Sequence, residues 1–245
     1  MLEFTGERVI PGAVEPDLFN EHFARYAFGA RLTKGKRVLD AGCGDGYGAA
    51  ELARDASQVI GLDLSGEAVA HARARYAAPN LEFRQGACAS LPFPEACFDL
   101  VVAFEVIEHL DDPRALVAEA RRVLAPGGAF LVSTPNKTVY AKTRGDFGPN
   151  PFHVREFDLA EFEAELGALF PHVRIFQQVD VSAILFGPAV ALEARLDASP
   201  ALSEEAHFFL GVCSASPLES IPGFLYLPRA GNLLHSRQRH IELLE

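Results

Sequence analysis

The chain has no long apolar run, no excess of positive charge and no paired cysteines, and each absence removes a class of protein. No stretch approaches the ~20 apolar residues that cross a bilayer, so no membrane-spanning segment is expected. The first residues, Met1-Leu2-Glu3-Phe4-Thr5-Gly6-Glu7-Arg8, lack the basic-then-apolar pattern of a secretory leader. Lys and Arg number 22 against 33 Asp and Glu, a net charge of −11 with a pI near 5.2. That balance argues against a surface that tracks nucleic-acid phosphates. Cys43, Cys88, Cys97 and Cys213 form no C-x-x-C pair and no zinc spacing, so reduced thiols in a cytoplasmic protein are expected. Neither an internal repeat nor a low-complexity tract is visible. What remains is a chain of 245 residues, 49% hydrophobic. It has room for one α/β domain with elaborations, or a domain plus a tail.

Strand-like and helix-like segments alternate, the pattern of a doubly wound α/β sheet. Strands are predicted near 36–41, 58–63, 81–85, 98–104, 128–133, 172–178 and 207–213. Helices are predicted near 17–32, 46–55, 66–77, 113–124 and 158–168. The helix at 113–124 has both signals: Asp112 as cap with Pro113 in the first turn, and Pro126-Gly127-Gly128 as stop. Between 134 and 157 the pattern breaks at Pro135, Gly145, Gly148, Pro149 and Pro151, and a long ordered loop is expected there. The alanine-rich stretch 180–205 has no clear assignment. The end of the chain, Leu233 to Glu245, is helical in character; Leu234 and Ile241, seven apart, do not establish a coiled coil, and a homodimer through this tail is the partner arrangement it allows.

The most informative run is Val38-Leu39-Asp40-Ala41-Gly42-Cys43-Gly44-Asp45-Gly46. It reads as a buried parallel strand, an acid, and a glycine turn leading into a helix. Glycine has no Cβ, so such a turn adopts positive φ and lets a ligand lie against bare backbone. Asp63 ends the next strand, Gln58-Val59-Ile60-Gly61-Leu62. Acids at two successive strand tips suit a ligand with an amine and a ribose diol. A dinucleotide is the competing ligand, since Gly44-x-Gly46-x-x-Ala49 satisfies a loose fingerprint. Against it, Tyr47 occupies the last glycine position of the frame that begins at Gly42. Asp40 and Asp45 would also stand beside the phosphates.

Further segments follow in order: Leu91-Pro92-Phe93-Pro94, Cys97 to Phe104, Glu105-Val106-Ile107-Glu108-His109-Leu110, Asp111-Asp112-Pro113 and Leu124-Ala125-Pro126-Gly127-Gly128. With the glycine run, this order resembles the class I S-adenosylmethionine-dependent methyltransferases, the small-molecule group that includes the ubiquinone-biosynthesis O-methyltransferases. The resemblance covers about 36–136 closely and extends loosely to about 213. It implies a Rossmann-like, seven-stranded, mainly parallel sheet with a reversed last strand. It also implies S-adenosylmethionine as cofactor. By resemblance, Asp40 sits near the methionine amine, and Gly42, Cys43, Gly44 and Gly46 line the backbone under the cofactor. Asp63 takes the ribose hydroxyls and Leu64 packs on adenine. Ala87 and Cys88 flank adenine, although many relatives have Asp where this chain has Ala87. Phe104 and Glu105 end the fourth strand beside the transferring methyl.

No metal is expected: Glu105-x-x-Glu108-His109 lacks the paired histidines of zinc motifs. The segments Thr5 to Pro11, Glu21 to Tyr26, Ser133 to Lys137 and Asn150 to Phe157 resemble bacterial enzymes associated with surface-glycan biosynthesis. His22 and Tyr26 share a helix face; the face either closes over the methionine end of the cofactor or only packs. The expected reaction is O-methylation of a sugar or nucleotide-sugar hydroxyl. A quinone- or phenol-type acceptor and a non-catalytic cofactor-binding partner module are the alternatives. His153 and His109 are the candidate catalytic bases, each with a purely structural role as its rival. Asn136, Tyr140 and Arg155 are placed to bind the acceptor. The expected organisation is a cap at 1–35, a methyltransferase domain at 36–215 and a partly helical tail at 216–245.

Overall fold

The computed structural model describes residues 9–144, 150–181 and 206–228. Seven strands form one sheet: β1 (Arg37–Ala41), β2 (Gln58–Asp63), β3 (Leu81–Gln85), β4 (Phe98–Phe104), β5 (Leu124–Pro135), β6 (His172–Gln178) and β7 (Phe208–Ser214). Their order is β3-β2-β1-β4-β5-β7-β6, with β7 antiparallel to both β5 and β6. The order reverses between β1 and β4, and ligands of open α/β sheets bind at the carboxyl ends of strands beside such a switch point. The strands there are apolar on both faces. Val38, Leu39, Leu100, Val101, Val102 and Ala103 are all fully buried, as strands covered by helices on both sides must be. Two hydrophobic layers result, one on each face of the sheet.

The helices are α1 (Pro16–Ala30), α2 (Tyr47–Leu52), α3 (Gly66–Arg75), α4 (Pro113–Val123), α5 (Lys137–Arg144) and α6 (Leu159–Gly167). Asp112 Oδ1 accepts from Arg114 N at 3.1 Å at the start of α4, and Leu116, Val117, Ala120 and Val123 are its buried stripe. Asp158 and Glu161 cap α6 reciprocally, at 2.8 and 2.9 Å, each satisfying a backbone N–H that the helix leaves unpaired. Among the described residues no helix is long and apolar enough to cross a membrane, and all four cysteines are free thiols.

Two expectations are corrected. The stretch 134–157 is not loop throughout, because α5 occupies Lys137–Arg144. Its Gly and Pro breakers flank the helix, Pro135 before it and Gly145 onward after it, and Asn136 Oδ1 supplies an acceptor for Thr138 N at 3.1 Å at the helix start. Strand β5 starts at Leu124 rather than 128. Phe98 pairs with Leu124 and Leu100 with Ala129, so Pro126-Gly127-Gly128 makes an irregularity inside the strand, with Gly127 at φ 80°. The proposed tail helix and dimer surface fall at 233–245, outside the described residues, as do residues 182–205.

Helix α1 is seated on the β1–α2 turn by a close approach at Gly48. A Cβ there would lie 2.1 Å from two atoms of the Tyr26 ring. Gly48→Ala must therefore displace Tyr26, a buried side chain with little room to move. Overpacking of this kind costs about 1–3 kcal/mol. Urea unfolding should show that loss, and an unchanged midpoint would mean that α1 yields freely.

Candidate active site

The β1–α2 turn closes one end of the site. Gly42, Gly44 and Gly46 have φ of 84°, 53° and 95°, the left-handed region that side chains with a Cβ rarely adopt. At Gly46 a Cβ would also come within 2.7 Å of Ala72 Cβ. Gly42 N and Cys43 N both donate to Leu62 O, at 2.7 and 2.9 Å. Asp63 Oδ2 accepts from Gly44 N at 2.9 Å, and Asp63 Oδ1 accepts from Ser65 N at 2.9 Å. The second acid thus holds the glycine turn and is itself held in one orientation.

Asp40 is completely buried at the tip of β1. Tyr26 donates to its Oδ1 at 3.3 Å, while Oδ2 has no partner. Burial, opposed by the Tyr26 hydrogen bond and helped by the Asp63 charge, pushes its carboxyl up to about 7. A buried carboxylate oxygen without a donor is costly, and a cationic amine is the partner it lacks. Leu64 is 71% exposed beside Asp63, an apolar side chain left in water where a flat aromatic ring would cover it. Ala87 forms an isolated bridge with Ser90, and Cys88 is buried next to it at the end of β3. Phe104 is buried against the Tyr26 ring at 5.0 Å. These residues fit S-adenosylmethionine: an orphan acid for its amine, bare backbone beneath it, and an acid followed by an exposed apolar side chain for its nucleoside.

The other end of the site lies at the tips of β4 and β5. Glu105 has φ 55°, unusual for a residue with a side chain. Its N–H donates to Ser133 Oγ at 3.1 Å, and Ser133 Oγ donates to Glu105 Oε1 at 2.6 Å. Arg25 Nε lies 3.8 Å from the same carboxylate. Arg25 is buried, donates to Gln178 Oε1 at 2.9 Å and stands 4.2 Å over the Phe208 ring. His22 packs against that same ring. A short 3-10 turn, Ile107–His109, then carries Glu108 and His109. Glu108 is 1% exposed. Burial and the nearby Glu105 carboxylate push its carboxyl well above the ordinary range, eased only in part by its own backbone, Arg25 and Thr134.

The loop before α6 brings His153 onto this turn. Glu108 O accepts from Val154 N at 2.9 Å and from Arg155 N at 3.1 Å. The His153 ring sits between His109, edge to face at 5.0 Å, and Tyr140, stacked at 5.2 Å. Burial holds its imidazole below the usual value, although Glu156 beside it acts the other way. A neutral imidazole can accept a proton or donate a lone pair.

Not every candidate from the sequence joins this cluster. The Asn136 amide is occupied by backbone: Nδ2 donates to Ala206 O at 2.8 Å and Oδ1 accepts from Thr138 N. Arg155 turns to Glu165, at 3.1 Å, and to the Phe157 ring. Those contacts tie the loop to α6. Tyr140 does face His153, and its hydroxyl accepts from Asn150 Nδ2 at 3.1 Å. Three residues at the site were not singled out from the sequence as its parts: Arg25, Ser133 and Glu108. The signal for Ser133 is its register opposite Phe104, which depends on strand pairing. The sequence argument against a metal looked for paired histidines within one short motif; in the fold His153 reaches His109 from a distant loop.

The chain matches the model of a methyltransferase domain over residues 39–132. It is 45% identical over 196 residues to a protein of Mycolicibacterium smegmatis named "Probable S-adenosylmethionine-dependent methyltransferase", covering 79% of this chain and 73% of that one. It is 32% identical over 184 residues to the ubiquinone biosynthesis O-methyltransferase of Azorhizobium caulinodans, covering 70% of this chain and 71% of that protein. Among solved structures, the YcgJ protein of Bacillus subtilis superposes with a TM-score of 0.58 at 22% identity, covering 80% of this chain and all of that one. With the sheet order and the glycine turn already described, these likenesses place the chain in the class I S-adenosylmethionine-dependent methyltransferases, with S-adenosylmethionine as its cofactor.

Proposed function

We propose that the protein methylates a hydroxyl oxygen of a sugar or nucleotide sugar. The observation that supports this most is the pair of imidazoles, His109 and His153, set beside Glu105 at the carboxyl ends of β4 and β5. A phenol titrates near 10 and needs modest help to become a nucleophile. A sugar hydroxyl is a far weaker acid and gains most from a site built to take its proton. When bound, S-adenosylmethionine supplies a sulfonium methyl whose C–S bond breaks as the C–O bond forms, so the protein's task is mainly alignment. Asp40 receives the cofactor's amine, Asp63 the ribose hydroxyls, and the turn from Gly42 to Gly46 carries the backbone beneath. His153 and His109 activate the acceptor oxygen, with Tyr140 closing the far side of His153.

The O-methyltransferase name of the Azorhizobium relative favours oxygen as the methylated atom, and it also keeps a quinone-type phenol as a second reading. A panel of nucleotide sugars and catechols incubated with S-adenosylmethionine separates the two. Mass gain of one methylene on a sugar supports the proposal. Methylation confined to catechols replaces it, and cofactor binding with no product from any acceptor favours a non-catalytic module.

The Asp40 assignment has a pH signature. With its carboxyl at about 7 in the cofactor-free protein, the acid is neutral below that value and cannot pair with an ammonium group. Affinity for S-adenosylmethionine should rise with pH up to about 7 and level off above it, falling by up to about tenfold for each unit below. Calorimetry from about pH 5.5 to 8.5 measures this, and Asp40→Asn should flatten the curve. A flat curve for the wild-type protein would remove Asp40 from amine binding.

A further inference from the structure

We propose that Glu108, His109 and His153 form a divalent-cation site that holds and activates the acceptor hydroxyl. The inference rests on the reading of the site as the acceptor end of an O-methyltransferase. The three side chains can each present a ligand atom within 4.8 Å of the others. Glu108 gives the independent observation: it is 1% exposed, and although Thr134 and Arg25 stand near enough to ease its charge, neither of its carboxylate oxygens makes a hydrogen bond of good geometry. A desolvated carboxylate without donors is among the costlier things a fold can hold. Glu105 nearby adds a second negative charge. A cation at this point supplies the partner that Glu108 lacks.

The imidazoles are already oriented as ligands. His109 Nδ1 lies 3.0 Å from Phe152 O. A carbonyl only accepts, so Nδ1 carries the proton and Nε2 carries the lone pair. His153 Nδ1 lies 3.3 Å from Glu156 Oε1, and the same reasoning leaves its lone pair on Nε2. Metal-binding histidines almost always donate their second ring N–H to a carbonyl or carboxylate in this manner. The ligand-bearing segments are also locked together, since Glu108 O takes the N–H groups of both Val154 and Arg155. Among the described residues, a second group, Glu21, Asp180 and His207, has comparable spacing. Its carboxylates already face the His207 ring, each at 3.6 Å, and none of its atoms is orphaned, so it makes no such demand.

One carboxylate and two imidazoles suit Mn²⁺, Co²⁺ or Zn²⁺ better than Mg²⁺ or Ca²⁺, which favour all-oxygen shells. Three protein ligands leave positions open for the acceptor oxygen and water. A coordinated hydroxyl loses its proton far more readily than a free one, as water does on zinc. The proton passes to solvent water, the oxygen takes the methyl carbon as that carbon's bond to sulfur breaks and S-adenosylhomocysteine leaves, and the cation would keep its charge throughout. On this assignment the two histidines act as ligands, and the cation does the work otherwise given to a base.

The test uses untagged full-length protein, stripped with EDTA and titrated with Co²⁺, followed by visible absorption and calorimetry. One Co²⁺ should bind per chain. Glu108→Gln and His153→Gln should each weaken binding by at least roughly tenfold, and Glu156→Gln, which only orients His153, by roughly tenfold. Circular dichroism confirms folding, and S-adenosylmethionine affinity should stay unchanged in Glu108→Gln. Failure of Co²⁺, Mn²⁺ and Zn²⁺ to bind, or equal Co²⁺ binding by the folded variants, overturns the site. Full-rate sugar methylation by the stripped protein overturns it too while leaving the proposed function standing. Cation binding that the variants abolish, with catechols rather than sugars methylated, upholds the site and defeats the sugar reading.

Discussion

Replacing Asp63 by alanine will lower the affinity for S-adenosylmethionine at least about a hundredfold. Two effects combine. If the ribose diol sits on this carboxylate, two hydrogen bonds to a charged group are lost, each worth roughly 1.5–3 kcal/mol. The same carboxylate also accepts from Gly44 N and Ser65 N. Its removal leaves the glycine turn without one of the acceptors that tie it to β2. Asp63→Asn keeps one acceptor oxygen but loses the charge, and should fall between wild type and Asp63→Ala. Calorimetry on folded protein decides it. Undiminished affinity in Asp63→Ala would sink the ribose assignment, and tight binding of NADH in place of S-adenosylmethionine would sink the reading of the whole turn.

Replacing His153 by alanine should slow methyl transfer by roughly 10²–10⁴-fold while leaving cofactor affinity within about twofold. The selectivity follows from position. His153 contacts Tyr140, His109 and Glu156, whereas the groups assigned to the cofactor, Asp40 and Asp63, lie at the tips of β1 and β2. A base and a metal ligand both predict the slow rate; Co²⁺ uptake by the variant separates them. Single-turnover rates with an identified acceptor measure the loss. A normal rate would take His153 out of the chemistry and leave His109 as the group that acts on the acceptor oxygen.

The glycine turn and the two strand-tip acids were legible in the sequence because their determinants are local. Asp40 and the three glycines lie within one strand-turn-helix segment, and Asp63 follows at the end of the next strand. Their roles depend on backbone conformation that glycine and strand propensity dictate over a few residues. The strand and helix boundaries came out close for the same reason, and they failed where a local signal was misjudged. At Pro126-Gly127-Gly128 the breakers distort β5 instead of preceding it. At Lys137–Arg144 a helix fits between two breaker clusters.

The proposed acceptor end was only half visible. His153 stood out as a histidine in a long polar stretch, but Asn136 and Arg155 stood out equally and the fold uses both to tie backbone and helix together. The Ser133–Glu105 pair exists because β4 and β5 are parallel neighbours in one register, and Arg25 reaches it because α1 lies across the strand tips.

The sequence by itself determined the fold family and the cofactor, since periodicity and glycine placement act through short-range backbone sterics. Tertiary structure alone decided that Glu108 is buried without a donor and that His109 and His153 meet beside it. Burial and the pairing of distant charges are sums over the packed chain. A residue's desolvation, and the partner that could offset it, exist only once the loop before α6 has closed onto the turn after β4.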